Sequence, residues 1–132
     1  KAAEKFEMMV HALGGSKSFL STYRKELSHN MYVKDIFLKK KGWISEIKTR
    51  ALGLLLIELG GGRKQIDDKI NYHVGYDNVL GIGSSVDKST PVITVLANSK
   101  DDFDGVKDMI ASCFIISEKE VKKSQYIYEV IK

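Results

Sequence analysis

From Arg50 to Gly75 the sequence reads RALGLLLIELGGGRKQIDDKINYHVG, and this stretch decides how the rest of the chain is interpreted. It passes from an apolar segment into three consecutive glycines and an arginine, then through an acidic loop to a short segment that ends in glycine. Thr49 is a candidate cap for a helix over residues 50–59. Apolar side chains lie nearly all round that helix, so the pattern predicts that it is buried.

Gly60, Gly61 and Gly62 follow the predicted helix directly, and Arg63 comes next. One glycine is enough to end a helix in the left-handed conformation. Three in a row indicate a close approach of the backbone to something, and the neighbouring guanidinium favours an anion or a carboxylate. The run is not a nucleotide-binding P-loop, which needs a Lys-Ser/Thr pair opening a following helix. The residues alone leave a functional loop and a plain turn both open.

Two short helices are predicted upstream of this stretch. Residues 2–13 have helical spacing and end at a pair of glycines, and Ser16 is a candidate cap for the second helix. The side chains expected on the apolar faces are Phe6, Met9, Val10 and Leu13 in the first helix, and Phe19, Leu20 and Tyr23 in the second.

Strands are predicted on both sides of the central stretch. Residues 32–38 and 43–48 are rich in β-branched and aromatic side chains, and residues 92–97 form a clear strand pattern. Residues 79–86 alternate loosely through two glycines, which is typical of a strand with a tight bend. Residues 114–116 and 126–131 predict a short strand and a closing strand.

A further amphipathic helix is predicted from Ser99 to about Cys113. Ser99 and Asp102 have the spacing of a capping box, with aspartate in place of glutamate. The side chains expected on its core side are Phe103, Val106, Met109 and Ile110.

Composition indicates one domain, or one domain with a tail. The chain has 132 residues, a net charge of +4 and 43% hydrophobic residues, which is ordinary for a globular protein. Its single cysteine fits a cytosolic setting, and no apolar run approaches the length of a membrane span. The chain opens with Lys1 inside helical sequence, so we expect it to be cut from a longer protein.

The titratable residues show no metal-site spacing. His11, His29 and His73 lie far apart in the sequence, so no zinc site is expected. Cys113 ends an amphipathic helix and is interpreted as a core residue. The pair at positions 67–68 is interpreted as solvated, and the basic clusters at 39–41 and 119–123 as solvated faces without nucleic-acid binding.

A carrier function is one alternative from a different class. The segment from Gly83 to Val92 echoes the hairpin of biotinyl and lipoyl carrier domains, and Lys88 lies in its turn. In carriers, however, the modified lysine lies on a different hairpin. A covalent biotin or lipoyl mass on Lys88 would support this alternative, and a non-enzymatic interaction module is the plainest one.

The central stretch resembles the C-terminal region of the thymidine and pyrimidine-nucleoside phosphorylases. The family pattern A-L-G-L-x-x-x-E-L-G-G-G-R corresponds to residues 51–63, and I-D-Y-x-V-G corresponds to residues 70–75. The G-D-x-V-x-K-G-x-P-L hairpin corresponds to residues 83–92, and K-F-x-x-M-V followed by G-G corresponds to residues 5–15. Gly42-Trp43-Ile44 resembles the family's G-Y-V strand start. The departures are Asn71, Ser84 and Ser89, where the family has Asp, Asp and Gly, so the hairpin is expected to be looser.

The resemblance implies an α+β fold, an α/β-hammerhead (barrel-sandwich-like) module with flanking helices. Residues 1–30 would be a helical lead-in from the preceding α/β domain, and residues 31–132 the C-terminal domain. The full-length protein would be a cytoplasmic homodimeric transferase. It would cleave a pyrimidine nucleoside with phosphate as co-substrate, and it would need no cofactor or metal. An archaeal-type nucleotide phosphorylase is the nearer rival.

The family's phosphate and base ligands lie in parts that have no counterpart in this sequence. We therefore expect no catalytic residue in this chain and an inactive isolated piece. The candidate site is a cleft-edge closure loop formed by Gly60, Gly61, Gly62 and Arg63, in which the arginine bridges to the opposite domain.

Overall fold

The computed structural model describes residues 1–27 and 31–123. The chain divides into two compact units, Lys1–Asn30 and Met31–Lys132, and each is described by itself below. The predicted strand at residues 126–131 lies outside the described residues.

Unit one contains two helices, α1 (Ala2–Ala12) and α2 (Phe19–Leu27). The α1 helix ends as predicted, since Gly14 has φ of +94° and the amides of Gly14 and Gly15 bond back to His11 and Val10. The predicted cap at Ser16 is wrong, because the Ser18 carbonyl accepts the first bonds of α2, from Ser21 and Thr22.

The apolar faces of unit one remain largely open. No residue of α1 is buried, and Phe6, Met9, Leu13 and Leu20 are exposed, contrary to the inward orientation predicted for Leu20. Within the unit, the Phe6 and Phe19 rings meet edge to face with their centroids 6.0 Å apart. This aromatic packing and a hydrogen bond from the Leu20 amide to Glu7 Oε1 at 3.2 Å both join the two helices.

Unit two alternates helices with short strands. In chain order the elements are β1 (Tyr32–Phe37), β2 (Gly42–Ile47), α3 (Thr49–Glu58), β3 (Gly75–Asp77), β4 (Ser85–Val86), β5 (Pro91–Ala97), α4 (Lys100–Ser112) and β6 (Phe114–Ser117). The described strands form two antiparallel sheets, one in the order β1-β5-β3 and the other β4-β2-β6. The α+β class is confirmed.

The core lies between the sheets and the helices of unit two. Ile44, Ile93, Val95 and Ile110 have no exposed surface, and each such side chain contributes about 1.5–3 kcal/mol when fully buried. Strand β5 is central in its sheet, and its Val92, Ile93, Val95 and Ala97 are buried. The α4 helix packs on β1 and β5, and its cap is the predicted one, since Ser99 Oγ accepts the Asp102 amide at 3.1 Å.

The prediction that α3 is buried nearly all round is wrong. Leu52, Leu55 and Leu59 are buried, whereas Leu54 is 54% exposed. The helix packs against α4 along one side, so a run of leucines supplies more apolar surface than the packing uses. The predicted Thr49 cap is also wrong, because Thr49 is the first helical residue and Lys48 takes the cap position without a side-chain bond.

The predicted strand over residues 79–86 is reduced to Ser85–Val86. Gly83 has φ of +81°, and a Cβ there would lie 2.7 Å from the backbone nitrogen of Lys123. A residue in that conformation interrupts an extended strand, so only the last two residues remain in register with β2. The predicted strands over residues 32–38, 43–48, 92–97 and 114–116, and the α4 helix, are confirmed within one or two residues, whereas β3 was not predicted.

Candidate functional site

The α3 helix ends in the glycine run, and the first glycine has a local explanation. Gly60 has φ of +95°, and its amide donates to the Ile57 carbonyl at 2.9 Å. The Gly61 amide donates to the Leu56 carbonyl, also at 2.9 Å. These two bonds are the usual way of closing a helix C-terminus around a left-handed glycine.

The other two glycines approach the side chains of α3 itself. A Cβ on Gly61 would lie 2.9 Å from Leu56 Cδ1 and 3.1 Å from Val74 Cγ2. A Cβ on Gly62 would lie 2.7 Å from Ile57 Cγ1. The close approach that the sequence predicts therefore occurs, and its partners are the helix that precedes the loop and Val74.

Arg63 directly follows these packed glycines, and its side chain is exposed. Within residues 1–27 and 31–123, its guanidinium makes no hydrogen bond or ion pair. The loop beyond it also exposes Ile66 by 89% and Tyr72 by 80%. The surface of the loop thus combines an arginine that makes no hydrogen bond or ion pair within the described residues with two large apolar side chains.

Asp68 organises the loop just beyond Arg63. Its Oδ2 accepts the amides of Lys64 and Gln65, each at 2.9 Å. The Gln65 and Lys64 amides, and less strongly the Lys64 and Arg63 charges, lower the pKa of the Asp68 carboxyl. Asp68 lies at the surface, in agreement with the predicted solvated carboxylate, and it also holds the turn after Arg63.

Asn71 closes the loop, and the sequence alone did not reveal this role. Its amide donates to the Gly60 carbonyl at 2.9 Å, and its Oδ1 accepts the His73 amide at 2.9 Å. Its Nδ2 donates to Asn98 Oδ1, which lies just after β5. An asparagine that bonds the backbone two residues ahead is a recognisable turn signal, but the contact with Asn98 is not local.

We expect Asn71→Ala to lower the free energy of unfolding by about 1–2 kcal/mol, because the His73 backbone amide and the side-chain oxygen of Asn98 lose their partner. Urea unfolding of the 132-residue chain measures this change. Asn71→Asp is the matched control and should cost less, since a carboxylate still accepts from His73. Equal stability of Asn71→Ala and the parent chain would contradict the assignment.

The turn between β4 and β5 is held by Asp87. Its Oδ1 accepts four donors, the amides and hydroxyls of Ser89 and Thr90, at 2.8–2.9 Å. Ser89 therefore supports the turn. Lys88 is exposed beside them, and the structure adds nothing that favours a carrier function.

The Asp87 carboxylate is expected to make the stability of the folded chain sensitive to acid. The Ser89 and Thr90 hydroxyls, followed by their amides, lower the pKa of the Asp87 carboxyl to about 2, against roughly 3.9 for a free aspartate. The ionised carboxylate therefore stabilises the folded state above the unfolded pKa, and this contribution is lost as the pH falls toward 2. Asp87→Asn should melt below the parent chain at pH 6, and the gap should narrow near pH 2. Thermal melts by circular dichroism test this, and a gap independent of pH would contradict it.

The remaining candidate residues are structural. Cys113 is buried, its thiol lies 3.3 Å from the Met109 carbonyl, and burial raises its pKa, which agrees with a core residue. Burial also raises the pKa of Tyr76 to about 12, and its hydroxyl donates to the Leu52 carbonyl at 3.2 Å.

No group of three or more metal-binding side chains occurs in the part of the chain that the structure describes. No described helix is long and apolar enough to cross a membrane.

Unit two is an α+β domain, and its candidate site is the loop after α3, which the bond between Gly60 and Asn71 closes. The family model of the pyrimidine nucleoside phosphorylase C-terminal domain matches residues 43–117, which is more than half of the chain. The match runs from β2 to the end of β6 and includes α3, the loop and the Asp87 turn. The chain belongs to the family of pyrimidine nucleoside phosphorylase C-terminal domains.

Proposed function

We propose that this chain is the C-terminal piece of a pyrimidine nucleoside phosphorylase. That enzyme, a pentosyltransferase, would convert a pyrimidine nucleoside and phosphate into the free base and a ribose or deoxyribose 1-phosphate. The observation that carries this proposal is the family match over residues 43–117. A homodimeric assembly and a cytoplasmic location of the whole enzyme belong to the same proposal.

The reaction sets requirements that this piece would meet only in part. Phosphorolysis needs donors that clamp phosphate and stabilise charge on the departing base. It also needs both substrates held in register while water is excluded. We assign the clamp and the base-binding groups to the rest of the enzyme, and domain closure to the loop that begins with Gly60, Gly61, Gly62 and Arg63.

Three features of the loop support a role in closure. Its base is fixed by the helix-end bonds and by Asn71, so a contact made at its tip would be transmitted to the domain. Arg63 presents five donors, which suit a carboxylate or carbonyl oxygen on a facing surface. Ile66 and Tyr72 offer apolar area beside it.

The test is phosphate-dependent release of thymine from thymidine and of uracil from uridine. The full-length enzyme and the 132-residue chain are assayed side by side. We expect activity in the full-length enzyme and none in the shorter chain. Absence of activity in both would overturn the proposed function. Activity on nucleoside monophosphates alone would instead favour a nucleotide phosphorylase.

A further inference from the structure

An open groove runs between α3 and α4 in unit two. Its apolar floor is formed by Leu54, Leu55, Val106 and Met109. Leu54 is 54% exposed and Met109 is 48% exposed, so two large apolar side chains face solvent next to each other in one groove. Solvent-facing apolar surface of this kind, bordered by charges, is typical of a binding surface for another protein.

Gly105 lies in the groove, in the interior of α4. Glycine is less favourable than alanine in the interior of a helix. A Cβ at this position would meet nothing within 4 Å, so packing within the described residues does not require glycine here. Because Gly105 has no side chain, the surface of α4 is flat at this position, and the backbone of another helix can approach it closely.

The charged residues that line the groove are all acidic: Glu58, Asp101 and Asp102. Glu58 is paired at 2.6 Å with Lys64, but both side chains are about half exposed, so this contact is weak. Asp102 accepts a hydrogen bond from the Ser99 hydroxyl at 2.9 Å and lies at the groove edge. The apolar floor is therefore bordered by negative charge.

We propose that this groove binds a basic amphipathic helix of a partner protein. A third helix can pack into the groove between two helices, and its apolar side chains at helical spacing would cover Leu54 and Met109. Lysine or arginine side chains on its flanks would face the acidic border. A second copy of this chain, packed through the same groove, would bring like charges together and is disfavoured. This inference does not depend on the phosphorylase reaction.

The test uses a fluorescently labelled peptide of leucine and lysine with an amphipathic helical pattern. Its binding to the 132-residue chain is measured by fluorescence anisotropy. We expect Met109→Lys to weaken binding about tenfold or more, because it places a cation in the apolar floor. The matched control is Val33→Lys, at a 50% exposed position of β1, and it should leave binding unchanged.

The Gly105→Leu variant distinguishes a loss of binding from a loss of folding. Leucine at an open helix position should raise the melting temperature while filling the groove, so affinity should fall as stability rises. Parental affinity in both Met109→Lys and Gly105→Leu would overturn the proposal. So would equal binding of a sequence-scrambled peptide, tighter binding of a leucine–glutamate peptide, or no binding at all. Self-association through this groove, detected by light scattering and abolished by Met109→Lys, would also overturn it.

Discussion

Replacing Gly42 by alanine is expected to destabilise unit two by about 3–5 kcal/mol, the largest effect we expect of any single methyl group added to it. Gly42 begins β2 with φ of +154° and is buried between β4 and β6. A Cβ there would lie 2.3 Å from the Ser117 carbonyl oxygen and 2.8 Å from Ile116 Cγ2. Backbone atoms cannot rotate away, so β6 would have to move off β2.

The measurement is urea unfolding followed by the fluorescence of Trp43, the single tryptophan and the neighbour of Gly42. Gly53→Ala is the matched control, because Gly53 lies inside α3 with nothing within 4 Å of a built Cβ. It should stabilise the chain by about 0.5–1 kcal/mol. A loss below 1 kcal/mol for Gly42→Ala would show that the β2–β6 contact is looser than described.

If the loop closes the enzyme as proposed, Arg63→Ala in the full-length enzyme should lower kcat about tenfold to a hundredfold, because loss of that contact would misplace the two substrates. The exposed guanidinium makes no bond within the described residues, so the stability of the 132-residue chain should change by less than about 0.5 kcal/mol. Steady-state phosphorolysis and thermal melts measure the two effects separately.

Lys64→Ala is the control for charge on the same loop. It removes one cation and a surface ion pair with Glu58, and it should leave kcat within about twofold of the parent enzyme. A large stability loss in Arg63→Ala would reassign the arginine to a structural role. Equal kcat losses in both variants would point to general charge rather than to a specific contact.

The parts of the fold that were predictable depend on local signals. The α4 helix combines a Ser99 cap, acidic residues in its first turn and apolar residues at helical spacing, and all of these act within a few residues. The β5 strand was predictable because its apolar run is bounded by turn residues. Burial of α3 was not, because composition does not tell which side of an apolar helix a neighbouring element covers.

In the candidate site, too, the local contacts were predictable from the sequence and the long-range contacts were not. Gly60 as a helix end follows from local rules, and the structure supports it. The contacts of Gly61 with Val74, and of Asn71 with Asn98, join residues that only the folded chain brings together. The sequence correctly predicted a close approach at the glycines, but it left the partner of that approach open.

The bond between the Gly60 carbonyl and the Asn71 amide has a practical consequence for engineering. It makes the intervening residues an Ω-shaped excursion whose two ends meet at one point. The entropy cost of lengthening such an excursion grows only with the logarithm of its length. A peptide tag inserted after Lys69, beyond the turn closed by Asp68, would leave both anchors in place. The domain therefore offers a position where a label or reporter can be carried without disturbing its core.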